Sequence, residues 1–257
     1  MERLANAMEA RGFLINRISD SVYFSPSNTR EELYLVERMF KEIDCDVAIE
    51  GRQIHLHSPL TDEQLERIIW YPASNHEAGP DDISNSWKYF VKRRHGAKVN
   101  TFVLETGVAR LVKSLSAAGI STFSSCDGHG GRNPYIIFSG RVQAVWFDLL
   151  YSETKRVMEL NYDWKINWNS RMGPSLVADK LLEAQRWNLQ DILADTTKIA
   201  NFFFEHAEEL AMTKRKIFGK RLKTTRKLVK IMSDEELYEW MSGMYDQYKS
   251  TRLVTKP

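Results

Sequence analysis

Residues 4–25, LANAMEARGFLINRISDSVYFS, and residues 111–139, LVKSLSAAGISTFSSCDGHGGRNPYIIFS, follow one plan. Each has a helix-like run, a glycine stop at Gly12 or Gly119, a strand, a turn, and an aromatic-rich strand closing in Phe24-Ser25 or Phe138-Ser139. A repeated order of elements is the sequence mark of duplication. The fold class expected is therefore α/β (α+β), with a duplicated helix-strand-strand-helix-strand unit and a helical C-terminal extension. The two copies would pack face to face or form one continuous sheet.

Working outward from the first stretch, Glu2 to Ala10 has helical periodicity, and Phe13 to Ile18 and Ser21 to Ser25 read as strands. Asn28 with Glu31, or Thr29 with Glu32, supplies a cap and a carboxylate three residues on, opening a helix through Leu33, Val36, Phe40 and Ile43. Asp46 to Ile49 and Gln53 to His57 read as a hairpin turning at Glu50-Gly51-Arg52. Around the second stretch, Thr106 to Ala118 is an amphipathic helix. Ile120 to Ser125 and Tyr135 to Ser139 follow as strands, Val142 to Met158 as a helix and Asp163 to Asn169 as a strand.

These readings divide the chain into a first repeat over 1–70, a linker or surface excursion over 71–100, a second repeat over 101–170, and a helical region over 171–257. The linker contains Pro72, Gly79-Pro80 and Asp81-Asp82. In the last region Pro174 to Trp187 and Leu189 to Leu210 read as helices, followed by a basic stretch and an acidic helix from Asp234 to Tyr248.

At 257 residues and 43% hydrophobic composition the chain can bury a real core without staples. Only Cys45 and Cys126 are present, and no apolar run approaches the roughly 20 residues that span a bilayer. A soluble protein in a reducing compartment, the cytoplasm, with no membrane partner is the expectation. MERLANAMEARG carries charges where a secretory leader needs an uninterrupted apolar run, and reads as structure. The net charge of +2 does not by itself call for a polyanion, but Thr213 to Lys230 carries nine Lys/Arg and no acid. On a helix, Phe218, Leu222, Thr225, Val229 and Met232 would share one side. The cations, Lys220, Arg221 and Lys223 among them, would then track phosphates or pair with Asp234-Glu235-Glu236 or another subunit.

The first copy joins its strands through the plain turn Ser19-Asp20-Ser21, whereas the second inserts a longer loop from Cys126 to Arg132. Asp127 and His129, two apart, offer a carboxylate and an imidazole to zinc or manganese and suit proton transfer near neutral pH. Backbone amides around Ser125, Gly128, Gly130 and Gly131 can approach a phosphate or oxyanion, and Arg132 adds a forked donor. The plainer alternative is a polar hairpin loop with Cys126 buried at a strand end; as a nucleophile Cys126 would need a base such as His129. His55 and His57 share a strand face and could complete a four-ligand site with Asp127 and His129, or simply face solvent. Glu105, at the start of the helix leading into the loop, is a general base, a ligand, or an acid complementing the helix dipole. Phe202-Phe203-Phe204 and Trp146, Trp164, Trp168 and Trp187 fit periodic apolar patterns and read as core. No Walker, GxGxxG or HExxH pattern is present.

Around TFSSCDGH the chain resembles the wybutosine-synthesis methyltransferase family, which modifies phenylalanine tRNA with S-adenosylmethionine. The matching positions are Thr122, Ser124, Ser125, Cys126 and Gly128, within about fifty residues that share a helix leading to such a strand. The family has Ser and Arg around that glycine where this chain has Asp127 and His129. The resemblance implies a related duplicated scaffold and a connection to a polynucleotide.

The functional expectation is metal-assisted hydrolysis of a nucleic acid or nucleotide. A divalent ion, zinc or manganese, would be held by Asp127 and His129 with His55 and His57, and Cys126 lies in the same site. Glu105 would act as base, and Arg132 would stabilise negative charge. The alternatives are a tRNA-modifying S-adenosylmethionine-dependent transferase, and a non-catalytic nucleic-acid-binding or assembly subunit. A homo-oligomer or protein complex through the C-terminal helices is compatible with each.

Overall fold

A computed structural model describes residues 1–74, 86–96 and 98–254. Gly79, Pro80, Asp81 and Asp82 of the expected linker lie outside the described residues.

The first unit runs α1 (Glu2–Arg11), β1 (Ile15–Ile18), β2 (Ser21–Phe24), α2 (Arg30–Ile43), β3 (Val47–Glu50), β4 (Gln53–Leu56) and α3 (Asp62–Ile69). α1 stops at Gly12, which takes φ 114°, and a Cβ there would stand 2.4 Å from Cβ of Ala109 in the second unit. Glycine is thus required both by the left-handed backbone and by the close approach of the two units. Of the two helix caps legible in the sequence, Thr29 with Glu32 is the one used, as a reciprocal capping box. All pairings are antiparallel, in the order β1-β2-β4-β3.

After α4 (Trp87–Lys92), the second unit repeats the first: α5 (Thr106–Ala117), β5 (Thr122–Cys126), β6 (Tyr135–Phe138), α6 (Arg141–Lys155), β7 (Asp163–Asn167), β8 (Ser175–Asp179) and α7 (Leu189–Glu205). Its sheet has the corresponding order, β5-β6-β8-β7, again antiparallel. The α/β duplication is therefore present, but as two separate four-stranded sheets. The unit also has one more strand than its expected form. Pro174 to Trp187 does not form a helix: Leu176 and Ala178 alternate into the core from β8, which inserts between β6 and β7. The period of two in SLVAD outweighs the helical composition around it.

The units meet through helices: α3 packs on α1, α1 on α5, and α5 on α7. A buried polar network locks this seam. Lys113 of α5 reaches Glu32 of α2 and donates to Asn28 Oδ1 and Thr101 Oγ1, both at 2.8 Å. Thr101 donates to the same Glu32 oxygen from its backbone N at 2.8 Å and its hydroxyl at 2.5 Å. Burial works against ionising Glu32, but Lys113 and these donors outweigh it and hold the carboxyl below its ordinary range. Burial lowers the Lys113 amine to about 8, with Glu32 opposing the fall.

Beyond β8, the helical region differs from its reading in two further places. Leu189 to Leu210 is broken at His206, giving α7 and α8 (Ala207–Phe218). The basic stretch is also not one helix: Arg221 is left-handed, φ 56°, between α8 and α9 (Leu222–Ile231), and α10 (Asp234–Val254) follows. Part of the expected linker is core. Trp87, Tyr89, Phe90 and Val91 of α4 are buried, and Trp87 meets Phe218 edge-on at 5.7 Å. Trp146, Trp164 and Phe203 are buried as expected of core, with Trp168, Trp187 and Phe202 packed against it. No helix among the described residues is long and apolar enough to cross a membrane.

Candidate metal centre

β5 ends at Cys126, which pairs with Tyr135 across the hairpin, so the loop between them is held at both ends by the ladder. Within it Gly128, His129 and Gly130 take left-handed backbone in succession, φ 78°, 51° and 68°. His129 is the non-glycine member of the three, a conformation that costs energy and concentrates at functional sites. The bend returns the imidazole toward the end of β5 instead of leaving Asp127 and His129 on one extended face, as the spacing alone suggests.

The start of α5 supplies the other wall. Glu105 accepts the Asp127 backbone N–H at 2.6 Å and places its second oxygen 3.1 Å from His129 Nε2. Asp127 accepts from Gly107 N at 3.3 Å and from its own loop at His129 N, 3.0 Å. Asp127 thereby caps α5 from another element, since the Glu105 side chain does not cap its own helix. Gly107 is indispensable to this arrangement because a Cβ there would lie 2.6 Å from Asp127 Cβ. Thr196 of α7 fixes the same turn by donating to Gly107 O at 2.7 Å.

Cys126 Sγ stands 3.6 Å from His129 Nε2, and accepts from Gly128 N and Arg132 Nη2, each at 3.4 Å. Burial pushes the Cys126 thiol up, against the pull of Gly128 N–H and Arg132. At neutral pH it is a thiol unless a cation takes the proton's place, which argues against a free thiolate nucleophile.

Glu105, Cys126, Asp127 and His129 therefore converge, with one ligand atom from each within 4.8 Å of the others. The edges fit a shared ion. Bonds of about 2.0–2.3 Å to a tetrahedral zinc place neighbouring N, O and S ligands about 3.3–3.5 Å apart. The Glu105–His129 and Cys126–His129 separations are 3.1 and 3.6 Å. Both involve Nε2, whereas Nδ1 faces Asp127 Oδ1 at 3.5 Å. Cys126, His129 and Glu105 thus form the inner set, and Asp127 orients the ring from behind, the usual support of a metal-binding histidine. His129 and Glu105 are partly exposed and Cys126 and Asp127 buried, so the cluster opens to solvent on one side.

The other sequence candidates stand elsewhere. His55 on β4 lies 3.7 Å from Glu50, and His57, just past that strand, donates its backbone N–H to Asp46 O at 3.0 Å. Both belong to the first sheet and neither joins the cluster, because the units meet through helices and not through β4. Ser125 precedes Cys126 on β5 and faces the opposite side of the sheet. Gly130 continues the loop beside Leu189, and Gly131 closes it by donating its N–H to Gly128 O at 2.9 Å. Lys220 and Arg221 at the α8–α9 turn and Lys223 in the first turn of α9 are exposed; α8 and α9 pack beside α4, whereas α7 borders the loop. Gly107 and Thr196 escape sequence reading, since nothing local marks either as a support for a loop twenty residues or more away.

No protein-family model, curated protein or solved structure matches the chain.

Proposed function

We propose that the loop after β5 is a mononuclear metal centre serving hydrolysis of a phosphodiester in a nucleic acid or nucleotide. The observation that carries this reading is the convergence of a thiol, an imidazole Nε2 and a carboxylate at separations a single ion would bridge. A donor set with one sulfur and one nitrogen favours zinc over manganese. An ion so held would lower the pKa of bound water toward about 7 and so would supply a nucleophile at neutral pH.

The chain's own residues do the rest. Cys126, His129 and Glu105 would hold the ion, and Asp127 keeps the imidazole in the tautomer that leaves Nε2 free to bind. Arg132, exposed and donating to Cys126 Sγ through Nη2, would neutralise charge developing on the phosphoryl oxygens. Glu105, half-buried, would turn one oxygen to the ion while the other accepts the Asp127 backbone N–H and keeps the loop closed on α5. A free thiol ligand suits a reducing compartment, the cytoplasm.

The test is turnover of a generic phosphodiester and of labelled RNA and DNA by zinc- and manganese-loaded protein. Cys126→Ser and His129→Ala should each lower kcat/KM by at least about 100-fold. Activity that survives both substitutions, or that never appears with loaded wild type, refutes the reading.

The doubled scaffold with a Ser-Ser-Cys-x-Gly strand end favours one second reading, an S-adenosylmethionine-dependent transferase acting on tRNA. Calorimetric titration of S-adenosylmethionine separates the two, since heat of binding abolished by Gly128→Val would replace the hydrolytic reading with this one.

A further inference from the structure

The second feature that could meet a ligand is a groove of about 630 Å³ built by the C-terminal helices and α4. Lys92 comes from the end of α4, Arg215 and Lys216 from the last turn of α8, Lys220 from the left-handed turn, and Leu222 from the start of α9. Tyr248 of α10 closes one side, and among the described residues no carboxylate lines the groove. Residues far apart in sequence thus deliver four exposed cations to one concavity.

Among the described residues, ion pairing does not account for these charges. Nearby cations have carboxylate partners: Arg94 pairs with Glu208, and Lys249 with Glu153. The acids at the start of α10 are occupied otherwise. Asp234 takes Arg141 at 3.0 Å, and Glu236 caps its helix by accepting from Ser233 N at 2.7 Å. Among the described residues, Lys92, Arg215, Lys216 and Lys220 take part in no ion pair. α9 adds positive potential, because it begins at Arg221 with no side-chain cap. The repulsion is felt inside the fold: burial, then Arg215, lower the amine of buried Lys214 to about 7.

We propose that this groove is a docking site for the backbone of a single-stranded nucleic acid, with Lys92, Arg215, Lys216 and Lys220 on successive phosphates and Tyr248 beside a base. The proposal rests on the nucleic-acid half of the function proposed above and assigns it to a surface apart from the metal centre. An aromatic wall among cations is how single strands are held without sequence preference, the bases stacking on the ring while the cations follow the backbone. Arg221 bends the basic run so that Lys220 faces the groove while Lys223, Arg226 and Lys227 lie on α9, which buries only Val229. Sequence periodicity places these charges on one helix surface; the fold divides them into two.

The experiment is fluorescence anisotropy of a labelled 12-nucleotide poly-U RNA as salt is raised, using full-length Cys126→Ser/His129→Ala protein so that metal chemistry cannot influence the result. For single strands the slope of log affinity against log salt is about −0.7 per phosphate contact, or about fivefold per contact at 0.1 M salt. Lys92→Ala/Lys216→Ala/Lys220→Ala should weaken binding about 100-fold and reduce the slope by about 2. Lys223→Ala/Arg226→Ala/Lys227→Ala, with the same change in charge, should cost less than about threefold, and Tyr248→Ala should cost about fivefold or more without altering the slope. Circular dichroism melts verify that each variant is folded.

Equal loss from both triple variants would overturn the groove in favour of diffuse attraction and leave the nucleic-acid reading standing. Competition by polyglutamate as effective as that by unlabelled RNA would point to an acidic protein partner and overturn the proposal. No RNA binding by the starting protein would overturn it together with the substrate class, while hydrolysis of a small phosphodiester by metal-loaded wild type would remain separately measurable.

Discussion

Gly107→Ala sets two forces of opposite sign against each other. Position 107 lies in the first turn of α5, where helix propensity alone makes alanine more favourable than glycine by about 1 kcal/mol. The new Cβ would lie 2.6 Å from Asp127 Cβ and 3.1 Å from its Oδ2, so α5 and the loop must separate. Forcing a methyl into a filled site costs about 1–3 kcal/mol. The separation also weakens the 3.3 Å bond from Gly107 N to the Asp127 carboxylate, with about 1.5 kcal/mol at stake for a buried charged acceptor. The net expectation is destabilisation by about 2 kcal/mol, seen as a Tm lowered by about 4–8 °C. Because the clash is with one residue, Asp127→Gly should relieve much of it. A double-mutant cycle on urea unfolding should return a coupling of at least about 1 kcal/mol. A Gly107→Ala protein more stable than wild type, or a strictly additive cycle, would show that the close packing of α5 on the loop does not hold the site.

Three further outcomes follow from buried groups. Glu32→Gln or Lys113→Met alone should cost about 3–5 kcal/mol, since each strands the other charge in the seam; Glu32→Leu/Lys113→Met should cost clearly less than the sum, and urea unfolding of the four proteins checks this. Lys214, on α8, has an amine lowered from an unfolded value near 10.4 to about 7. Between these values the unfolded chain holds a proton that the folded chain does not, so stability should rise with pH from about 7 to 10. Lys214→Met should flatten that rise, and parallel curves for the two proteins would refute the assignment. Asp195 of α7 accepts from Asn161 N, Tyr162 N and Trp164 Nε1 at 2.8–3.0 Å, so Asp195→Ala should cost about 3 kcal/mol and raise hydrogen exchange in β7, measurable by mass spectrometry.

The duplication was legible because Gly12 and Gly119 end equivalent helices and because both units close their first hairpin with aromatic residues. β8 was not, because five residues between Pro174 and a polar turn carry too short a period to be told from helix, and its insertion between β6 and β7 is a long-range pairing. Arg221 in left-handed conformation leaves no local sign, so the basic stretch read as one helix. At the site, Cys126, Asp127 and His129 stood out by residue type and Glu105 by its place before a helix. Their division of labour depended on three consecutive left-handed residues that only the folded loop displays. His55 and His57 had the right chemistry and spacing but belong to the unit whose turn remained plain.

Whether the loop after β5 holds a metal is decided by the metal content of untagged protein purified without chelator, measured by inductively coupled plasma mass spectrometry and followed by a chelator-competition titration with zinc. About one zinc per chain is expected, lost in Cys126→Ser and His129→Ala and bound about 10- to 100-fold more weakly in Asp127→Asn. Because the Cys126 thiol sits above its ordinary value, zinc affinity should rise with pH through the neutral range. Zinc binding that is equal in wild type and in both substituted proteins, or a wild type that takes up none in the titration, would contradict the metal centre.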